Sequence, residues 1–508
     1  MSFACTNSAQ PHYLLGHIVQ IEVDVSRGLH SFSIVGMASK EVDEAKDRVS
    51  SAIKNSGYES PKSRNEKLVI ALAPAQLKKS GAYHDLAIAL AYLLCVGEIS
   101  FDPDKAVFIG ELSLDGSIKE VAGIIALVQA AQQAGFNQVF VPFANAQEAA
   151  LVTGIDIYPV KDLYSLIKHL DEHRDQRVYI EKQEPTDIHS TKPSHTFDIS
   201  HIRGQELAKR ALQIAAAGGH NLVLYGPPGT GKTMLARAFC TILPPLSSNQ
   251  ALEVTAIHSI AGVLKGSVIT QAPFRSPHHS SSYVAIIGGG AYPRPGEITL
   301  AHRGVLFLDE FPEFDKRVLE SLRQPLEDRV VHIARSQGSV TFPASCIVIC
   351  AMNPCPCGFY ESQHQSCRCS AYDIERYQKK VSGPITDRMD MWVPVEHIDY
   401  DKLTQRADVT QENSIKLAAK VQRARTCAKN RQGQKLNAEL SAKEINQELL
   451  ADDVYQLLKE SAEHLKLSPR SFHRVIKVAR TIADLEKSET ISSEHILEAL
   501  QYRPKLRQ

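Results

Sequence analysis

The chain lacks several features that mark specialised classes of protein. It has no net charge, with 57 basic and 57 acidic side chains among 508 residues, which argues against a protein that coats nucleic acid along its whole surface. It has no apolar run of membrane-spanning length, and its first residues do not resemble a secretory signal. We therefore expect a cytoplasmic protein without a membrane partner, whose ten cysteines are mostly reduced thiols unless a metal holds some of them.

The length exceeds that of a single hydrophobic core, and the pattern of the sequence changes along the chain. Residues 1–170 alternate between strand-like and helical apolar periods, which predicts an α/β domain. Residues 171–196 are polar and contain proline, so they predict a linker with at most one short strand, at Val178–Ile180. Residues 197–399 predict a second α/β domain, and residues 400–508 are helical by period.

Apolar periods within the first region predict individual elements. Helices are expected at Glu41–Ser56, His84–Leu94 and Ile124–Ala134. Strands are expected at Ile18–Val25, Phe32–Val35, Lys67–Leu72, Ala106–Leu112 and Gln138–Val141.

A glycine-rich segment in the second region predicts a phosphate-binding loop. It follows a short apolar strand, Asn221–Tyr225, and precedes a helical period, which is the context that such a loop requires. Its backbone N–H groups can point at phosphates, Lys232 can reach the β- and γ-phosphates, and Thr233 can bind Mg²⁺. We therefore predict an ATP and Mg²⁺ site formed by Gly226, Pro227, Pro228, Gly229, Thr230, Gly231, Lys232, Thr233 and Met234.

Two later apolar strands end in polar side chains. Val305–Glu310 ends in two carboxylates, of which Asp309 is predicted to hold Mg²⁺ and Glu310 to act as the general base for water. Ile347–Asn353 ends in an amide that can orient the water beside the γ-phosphate. The alternative for Asn353 is a turn-forming residue before a proline.

The order of the motifs GPPGTGKT, VLFLDE, AMNPCPCG, SGPITDRMD and LSPRSFHR resembles the ComM (YifB) family of magnesium-chelatase-like AAA+ ATPases. The segments FRSPHHSSS and PRPGEITLAHRGVLFLDEFPEF share this resemblance, which extends over essentially the whole chain. It implies a P-loop AAA+ αβα core with Asn353 as the sensor-1 residue, followed by a C-terminal helical lid. It also implies that Arg388 is an arginine finger for a neighbouring subunit and that Arg470 is the sensor-2 arginine. A finger that acts in trans requires a ring, so a homo-hexamer is implied, although spacing alone favours surface salt bridges for both arginines.

Residues 1–170 resemble the proteolytic domain of Lon-type proteases in an inactive form, largely through Gly110–Gly123 (GELSLDGSIKEVAG). The Lon nucleophile would fall at about Tyr83, with Ser80 close by, and the Lon lysine near Ile125. Because neither position carries the required side chain, no Ser–Lys dyad is expected. The resemblance therefore implies a ring-forming or partner-binding module.

Two segments of the second region are candidates for contact with DNA. Leu243–Val305 is a long insertion, and Val330–Phe342 alternates around a polar turn, which predicts a β-hairpin. The resemblance implies that both face the central pore of a ring. Lys265, His332 and Arg335 are then candidate contacts to a DNA strand, and the alternative is that they are solvated charges.

Two basic stretches without acids lie in the C-terminal region, at 421–435 and 464–480. Local positive patches of this kind suit nucleic acid or nucleotide phosphates. A solvated helix face is the alternative.

Four cysteines predict a structural zinc site. Cys355, Cys357, Cys367 and Cys369 form two CxC pairs, and four thiolates can bind zinc tetrahedrally without leaving an open position. The spacing departs from the common CxxC pattern, so free thiols are the alternative. His364 lies between the pairs and is a possible replacement for one ligand.

Three functions are compatible with this sequence. The resemblance implies an ATP-driven hexameric DNA motor, with helicase or branch-migration action in the homologous recombination of incoming DNA during natural transformation. The alternatives are a chelatase-type ATPase that remodels a protein partner and an ATP-dependent peptidase. The Lon-like region argues against the chelatase-type motor, and the missing dyad argues against the peptidase.

Overall fold

The protein is described by a computed structural model, whose contacts divide the chain into two compact units. The first unit comprises Met1–Thr191 and Ser248–Ile269, and the second comprises Lys192–Ser247 and Thr270–Gln508. None of the helices in the described part of the chain combines the length and the apolar character that crossing a bilayer requires. The described residues are 3–37, 39–172, 178–188, 197–266, 268–290, 293–335, 338–362, 365–397, 413–445 and 450–504.

Strands and helices alternate over the first 172 residues. The strands form a mixed sheet in the order β1-β2-β4-β3, a parallel sheet in the order β5-β8-β9 and a β6–β7 pair. The elements are β1 (Phe3–His12), β2 (Leu15–Arg27), β3 (Ser31–Val35), α1 (Lys40–Asp43), α2 (Ala45–Asn55), β4 (Glu66–Ala73), α3 (Asp85–Cys95), β5 (Ala106–Phe108), β6 (Glu111–Leu112), β7 (Ile118–Lys119), α4 (Ile124–Gln133), β8 (Gln138–Pro142), α5 (Ala146–Ala149), β9 (Asp156–Val160) and α6 (Leu163–Leu170).

Strand β1 was not predicted because its core-facing side chains are polar. Thr6, Ser8 and Gln10 are fully buried, which inverts the usual alternation of apolar and polar residues. Each finds a backbone acceptor: the Thr6 hydroxyl donates to Ala87 O at 3.0 Å, and the Gln10 amide donates to Lys78 O at 2.9 Å. These hydrogen bonds offset the cost of burying polar groups.

Two predictions in the first region were wrong in detail. The helix expected over Glu41–Ser56 is divided at Glu44 into α1 and α2. The strand expected over Ala106–Leu112 is interrupted at Ile109 and Gly110, and a Cβ atom on Gly110 would lie 2.6 Å from the Ile118 side chain. In the predicted linker, which allowed at most one short strand, Val178–Ile180 forms none.

From residue 197 onward the chain builds a five-stranded parallel sheet in the order β11-β14-β17-β10-β18. Its strands are apolar and largely buried between helices, as expected for a parallel sheet. The elements are α7 (Glu206–Gly218), β10 (Leu222–Tyr225), α8 (Lys232–Ile242), α9 (Ser248–Ile260), β11 (Phe274–Arg275), α10 (Tyr283–Ile287), β12 (Gly288–Gly289), β13 (Arg294–Pro295), α11 (Glu297–Leu300), β14 (Val305–Leu308), α12 (Lys316–Ser321), α13 (Arg323–Asp328), β15 (Val330–Arg335), β16 (Gly338–Pro343), β17 (Ile347–Met352), α14 (Ala371–Gln378), α15 (Gly383–Thr386), β18 (Met391–Pro394), α16 (Ser414–Gln432), α17 (Asp452–His464), α18 (Pro469–Glu486) and α19 (Ser493–Gln501).

Helix α9 packs within the first unit, although the sequence argument placed it in the second α/β domain. The Gly123 N–H at the start of α4 donates to the Ser259 hydroxyl at 2.8 Å. A Cβ atom on Gly123 would lie 2.9 Å from the Ile260 side chain, so the two helices approach closely. The first part of the predicted insertion therefore belongs to the core of the first unit.

Four basic residues of the two C-terminal stretches bond within the fold. Arg425 donates to Ala216 O near the C-terminal end of α7 at 2.9 and 2.6 Å, where a cation is favoured. Arg431 and Arg480 both bond the buried Asp484, at 2.7–3.1 Å. Lys477 donates to Ala438 O at 3.0 Å. Contacts within the fold account for these four charges, although the Arg431 side chain is still 28% exposed.

Candidate nucleotide-binding site

The predicted phosphate loop begins directly after β10, at the carboxyl edge of the sheet. A Cβ atom on Gly226 would lie 2.0 Å from Val395 O, so only glycine fits there. Gly229 and Gly231 have φ angles of 77° and 88°, a region that glycine occupies without strain. The Thr230 hydroxyl donates to Pro227 O at 3.0 Å and holds the loop in its turn.

Lys232 is the first residue of α8 and is largely buried inside this loop. Its ammonium group donates to Gly226 O at 2.8 Å, to Pro227 O at 2.7 Å and to Asn353 Oδ1 at 3.1 Å. Burial lowers the pKa of Lys232 to about 8. Because Asn353 follows β17, the structure brings the predicted lysine and the predicted sensor amide together.

Thr233 and Asp309 form the second contact at this edge. The Thr233 hydroxyl donates to Asp309 Oδ2 at 2.9 Å, and Asp309 follows β14 directly. A hydroxyl and a carboxylate are oxygen ligands of the kind that Mg²⁺ prefers. These two side chains can therefore hold a magnesium ion beside the loop.

Glu310 is engaged by a residue that the sequence argument did not assign. The Glu310 backbone is left-handed, with φ at 50°, and its N–H donates to Asp309 Oδ1 at 2.9 Å. Its Oε2 atom lies 2.9 Å from Nδ1 of His279, in the FRSPHHSSS segment. The double histidine in that motif was the only sequence signal that could have indicated this contact.

The four cysteines of the predicted zinc site lie together. Their sulfur atoms are all within 4.8 Å of one another, and three of the separations are 3.4, 3.7 and 3.6 Å. Four thiolates at a Zn–S distance of about 2.3 Å would be about 3.8 Å apart in a tetrahedron. The sulfur positions therefore fit zinc, and His364 lies outside the described residues.

The cysteine loop also packs against the phosphate loop. A Cβ atom on Gly358 would lie 2.6 Å from Pro228 Cδ, so glycine permits the close approach. Gln378 of α14 donates to Pro354 O at 3.2 Å and ties the loop to that helix.

Arg388 and Arg470 lie at the other edge of the same sheet. Asn221, which precedes β10, donates from Nδ2 to Arg388 O at 3.3 Å. Gly226 is five residue steps after Asn221, so at about 3.3 Å per step the Arg388 backbone is about 16 Å from the start of the phosphate loop. Arg388 Nη2 bonds one oxygen of Glu327, and Arg470 Nη2 lies 2.8 Å from the other oxygen. Nothing in the sequence indicated Glu327.

The predicted hairpin is confirmed as β15 and β16, with His332 opposite Thr341. His332 is exposed, and its Nδ1 atom lies 2.8 Å from the Thr341 hydroxyl. Arg335 is the last residue of β15. Lys265 is exposed but belongs to the first unit, so the structure brings only two of the three predicted pore residues onto one element.

The parallel sheet, with its glycine loop, Lys232, Thr233, Asp309 and Asn353 at one edge, defines a P-loop nucleotide-binding protein. Three family models match the chain: "Magnesium chelatase, subunit ChlI" at residues 198–403, "Subunit ChlI of Mg-chelatase" at 21–145 and "Magnesium chelatase, subunit ChlI C-terminal" at 411–503.

Similar proteins extend this match over nearly the whole chain. The uncharacterized protein YifB of Salmonella typhimurium is 42% identical over 489 residues, covering 96% of this chain and 94% of that protein. The competence protein ComM of Haemophilus influenzae is 39% identical over 510 residues, covering 100% and 98%. Lon protease 2 of Bacillus subtilis is 27% identical over 194 residues, covering 32% and 34%. The chain belongs to the magnesium-chelatase-like AAA+ ATPase family that includes ComM and YifB.

Proposed function

We propose that this ATPase is a ring-forming motor that acts on DNA. The observation that carries the proposal is the separation of the site across one sheet. Lys232 and Asp309 stand at the carboxyl edge, whereas Arg388 and Arg470 stand at the amino edge. Arginines this far from the phosphate loop of their own chain are placed to contact the nucleotide of a neighbouring subunit. If every subunit makes this contact with the next one, the subunits close into a ring.

At the carboxyl edge, each side chain has a chemical task. Phosphate oxygens take the place of the loop carbonyls around Lys232 and are bonded by the backbone N–H groups of the loop. Thr233 and Asp309 would hold Mg²⁺, which would neutralise charge on the phosphates. Glu310 accepts the proton of the attacking water, and Asn353 orients that water.

At the amino edge, Arg388 acts as the finger for the neighbouring subunit. Because Arg470 shares Glu327 with Arg388, we infer that both guanidinium groups face the same neighbouring γ-phosphate. Two positive charges there stabilise the charge that phosphoryl transfer spreads over the equatorial oxygens. Six copies in a closed ring complete every site.

The DNA role rests on the relatives and on the hairpin. The similarity to the competence protein ComM supports a role in competence. From the family resemblance we propose branch migration or helicase action on incoming DNA during natural transformation. His332 and Arg335 on the hairpin supply sequence-independent contacts to a strand in the pore. The first unit, with a Lon-like domain at residues 1–170, serves as a ring-forming or partner-binding module, and Lys265 within it is a further candidate DNA contact.

We also propose that the cysteine cluster binds a structural zinc ion. Cys355, Cys357, Cys367 and Cys369 supply four sulfur ligands, which leaves no position for a substrate. Since Gly358 touches Pro228, the metal would stiffen the support of the phosphate loop.

A chelatase-type motor that remodels a protein partner is the second candidate, because all three matching models carry the magnesium-chelatase description. The rate of ATP hydrolysis with and without forked or single-stranded DNA separates the two. The DNA motor predicts stimulation that is absent in the Lys232→Ala variant. A rate that stays unchanged at saturating DNA favours the chelatase-type function.

A further inference from the structure

Helix α16 carries charge of one sign only. Its 19 residues include six basic side chains and no acidic one. The six are Lys416, Lys420, Arg423, Arg425, Lys429 and Arg431. An acid three or four residues from a base stabilises an exposed helix, whereas like charges at that spacing destabilise it. The charges of α16 therefore do not serve the stability of the isolated helix.

Contacts within the fold account for two of the six cations. Arg425 donates to Ala216 O, and Arg431 bonds both oxygens of Asp484. The buried side of the helix faces the core of the second unit and carries Leu417, Val421 and Ala424. The orientation of α16 is therefore fixed, and its opposite side faces outward.

Three cations lie on this outward side. Lys416, Arg423 and Lys429 are exposed, and in the part of the chain that the structure describes no acidic side chain pairs with any of them. The Arg423 Nε atom donates to Ala419 O within the same helix, at 3.3 Å. The outward side of α16 is therefore a surface of positive charge without local neutralisation.

The three cations flank this surface on both sides. Lys416 and Arg423 are seven residues apart, so they lie on one flank, about 10 Å from each other along the helix axis. Lys429 is about 9 Å beyond Arg423 and is rotated from it by roughly 120°, which places it on the other flank. The surface between the flanks carries the uncharged, exposed side chains of Gln422 and Thr426.

This arrangement fits the backbone of double-stranded DNA. An α-helix is about 10–12 Å wide and the major groove is about 12 Å wide, so cations on both flanks of a helix can reach the phosphates of two strands. Single-stranded DNA is bound largely through bases that stack on aromatic side chains, and the sequence of α16 contains none. Phosphate contacts by lysine and arginine require no base sequence.

We propose that the outward side of α16 binds the phosphate backbone of double-stranded DNA. Lys416 and Arg423 contact one strand, and Lys429 contacts the other. A branched DNA substrate has duplex arms in addition to the single strand assigned to the β15–β16 hairpin, and α16 binds such an arm. The inference rests on the proposed function, because it names a second DNA contact of the same motor.

The test measures the affinity of the full chain for a labelled, blunt DNA duplex at several salt concentrations. The variant combines Lys416→Gln, Arg423→Gln and Lys429→Gln. We expect the slope of log K against log salt concentration to become shallower by about 2.7, because each lost phosphate contact removes about 0.9. Between about 50 and 200 mM salt, the variant should therefore lose roughly 40-fold less affinity than the wild type.

A control variant loses the same charge from other exposed cations. It combines Arg376→Gln, Lys379→Gln and Lys435→Gln. Each of these side chains pairs with an acid, at 3.7, 2.5 and 2.6 Å, and the slope should remain that of the wild type.

A rescue variant, with Lys416→Arg, Arg423→Lys and Lys429→Arg, keeps the three charges of α16 and should also keep the wild-type slope. A shallower slope in the rescue variant would contradict a charge contact.

Cys427 allows a second measurement on the same surface. It is exposed and lies one helical turn after Arg423. Saturating duplex should slow the alkylation of Cys427 severalfold, whereas alkylation of the half-buried Cys5 in the first unit should not change. Mass spectrometry of the modified chain reports both rates.

Two results would overturn the proposal: a slope in the triple glutamine variant equal to that of the control, or alkylation of Cys427 that duplex does not slow. An unchanged slope with an altered oligomeric state would assign the surface to a subunit contact instead. ATP hydrolysis with single-stranded DNA judges the motor separately. Stimulation of the wild type with no change of slope removes the α16 surface and keeps the motor, and a changed slope with no stimulation does the reverse.

Discussion

The two edges of the five-stranded sheet differ in how complete they are within one chain. At the carboxyl edge, the predicted groups contact one another: Lys232 bonds Asn353, and Thr233 bonds Asp309. At the amino edge, Arg388 and Arg470 share one carboxylate, that of Glu327, and Arg388 also donates to Pro384 O at 2.8 Å. The first edge has the groups that bind and polarise a triphosphate, and the second has cations without a phosphate.

This difference is what the proposed ring requires, because in such a ring one chain carries two halves of different sites. Cations that serve phosphoryl transfer are useful only within contact distance of the γ-phosphate oxygens. Since the sheet itself keeps the two edges apart, a local side-chain movement would not join them. The comparison can be tested by damaging each edge separately and then combining the damaged chains.

Removal of Lys232 should have the largest effect. We expect Lys232→Ala to lower kcat/KM for ATP hydrolysis by at least about 10³-fold, because the loop loses its only ammonium group among the described residues. Turnover of labelled ATP measures this loss. Lys429→Ala, an exposed lysine on α16, is the control and should retain the wild-type rate. Normal turnover in Lys232→Ala would remove the assignment of the carboxyl edge.

Arg388→Ala should be nearly as severe in turnover while leaving ATP binding intact. We expect kcat to fall about 10³-fold and the Kd for ATP to change little, since the finger acts on the transition state. Mixing Arg388→Ala with Lys232→Ala should restore activity, because an intact loop then meets an intact finger. Random rings from equal amounts would restore about a quarter of the sites. No recovery in mixed rings would show that the edges do not serve one another.

The carboxyl edge could be predicted from sequence because each part is local. A strand, a glycine turn and a helix are contiguous, and Asp309 and Asn353 each end an apolar run. Parallel strands then bring these ends together without further information.

The amino edge and the histidine contact could not be predicted in this way. Glu327 lies 61 residues from Arg388 and 143 from Arg470, and its own segment is an ordinary polar helix. The polar face of β1 and the packing of α9 in the first unit were not predicted for the same reason. In each case, the contact depends on residues that are distant in the sequence, and the local hydrophobic periodicity does not reveal them.

Loss of the cysteine ligands should affect stability near the carboxyl edge. We expect purified protein to contain one zinc ion per chain, and Cys357→Ser to lose it and lower the unfolding midpoint by roughly 5–10 °C. Elemental analysis and thermal unfolding measure the two effects. Cys427→Ser, an exposed cysteine on α16, is the control. If the purified protein contains no stoichiometric zinc, the prediction of a zinc site is wrong and the four cysteines are free thiols.

The smallest expected effect concerns Glu327 at the amino edge. In Glu327→Gln, two guanidinium groups lose their shared anion and repel each other, so both arginines are held less well. We expect kcat to fall about threefold with an unchanged KM, because exposed ion pairs contribute little each. Glu313→Gln is the control. The Glu313 carboxylate pairs with Lys380 at 2.9 Å, and its loss should leave kcat and KM unchanged. A rise in kcat for Glu327→Gln would instead show that this carboxylate competes with the phosphate for the arginines.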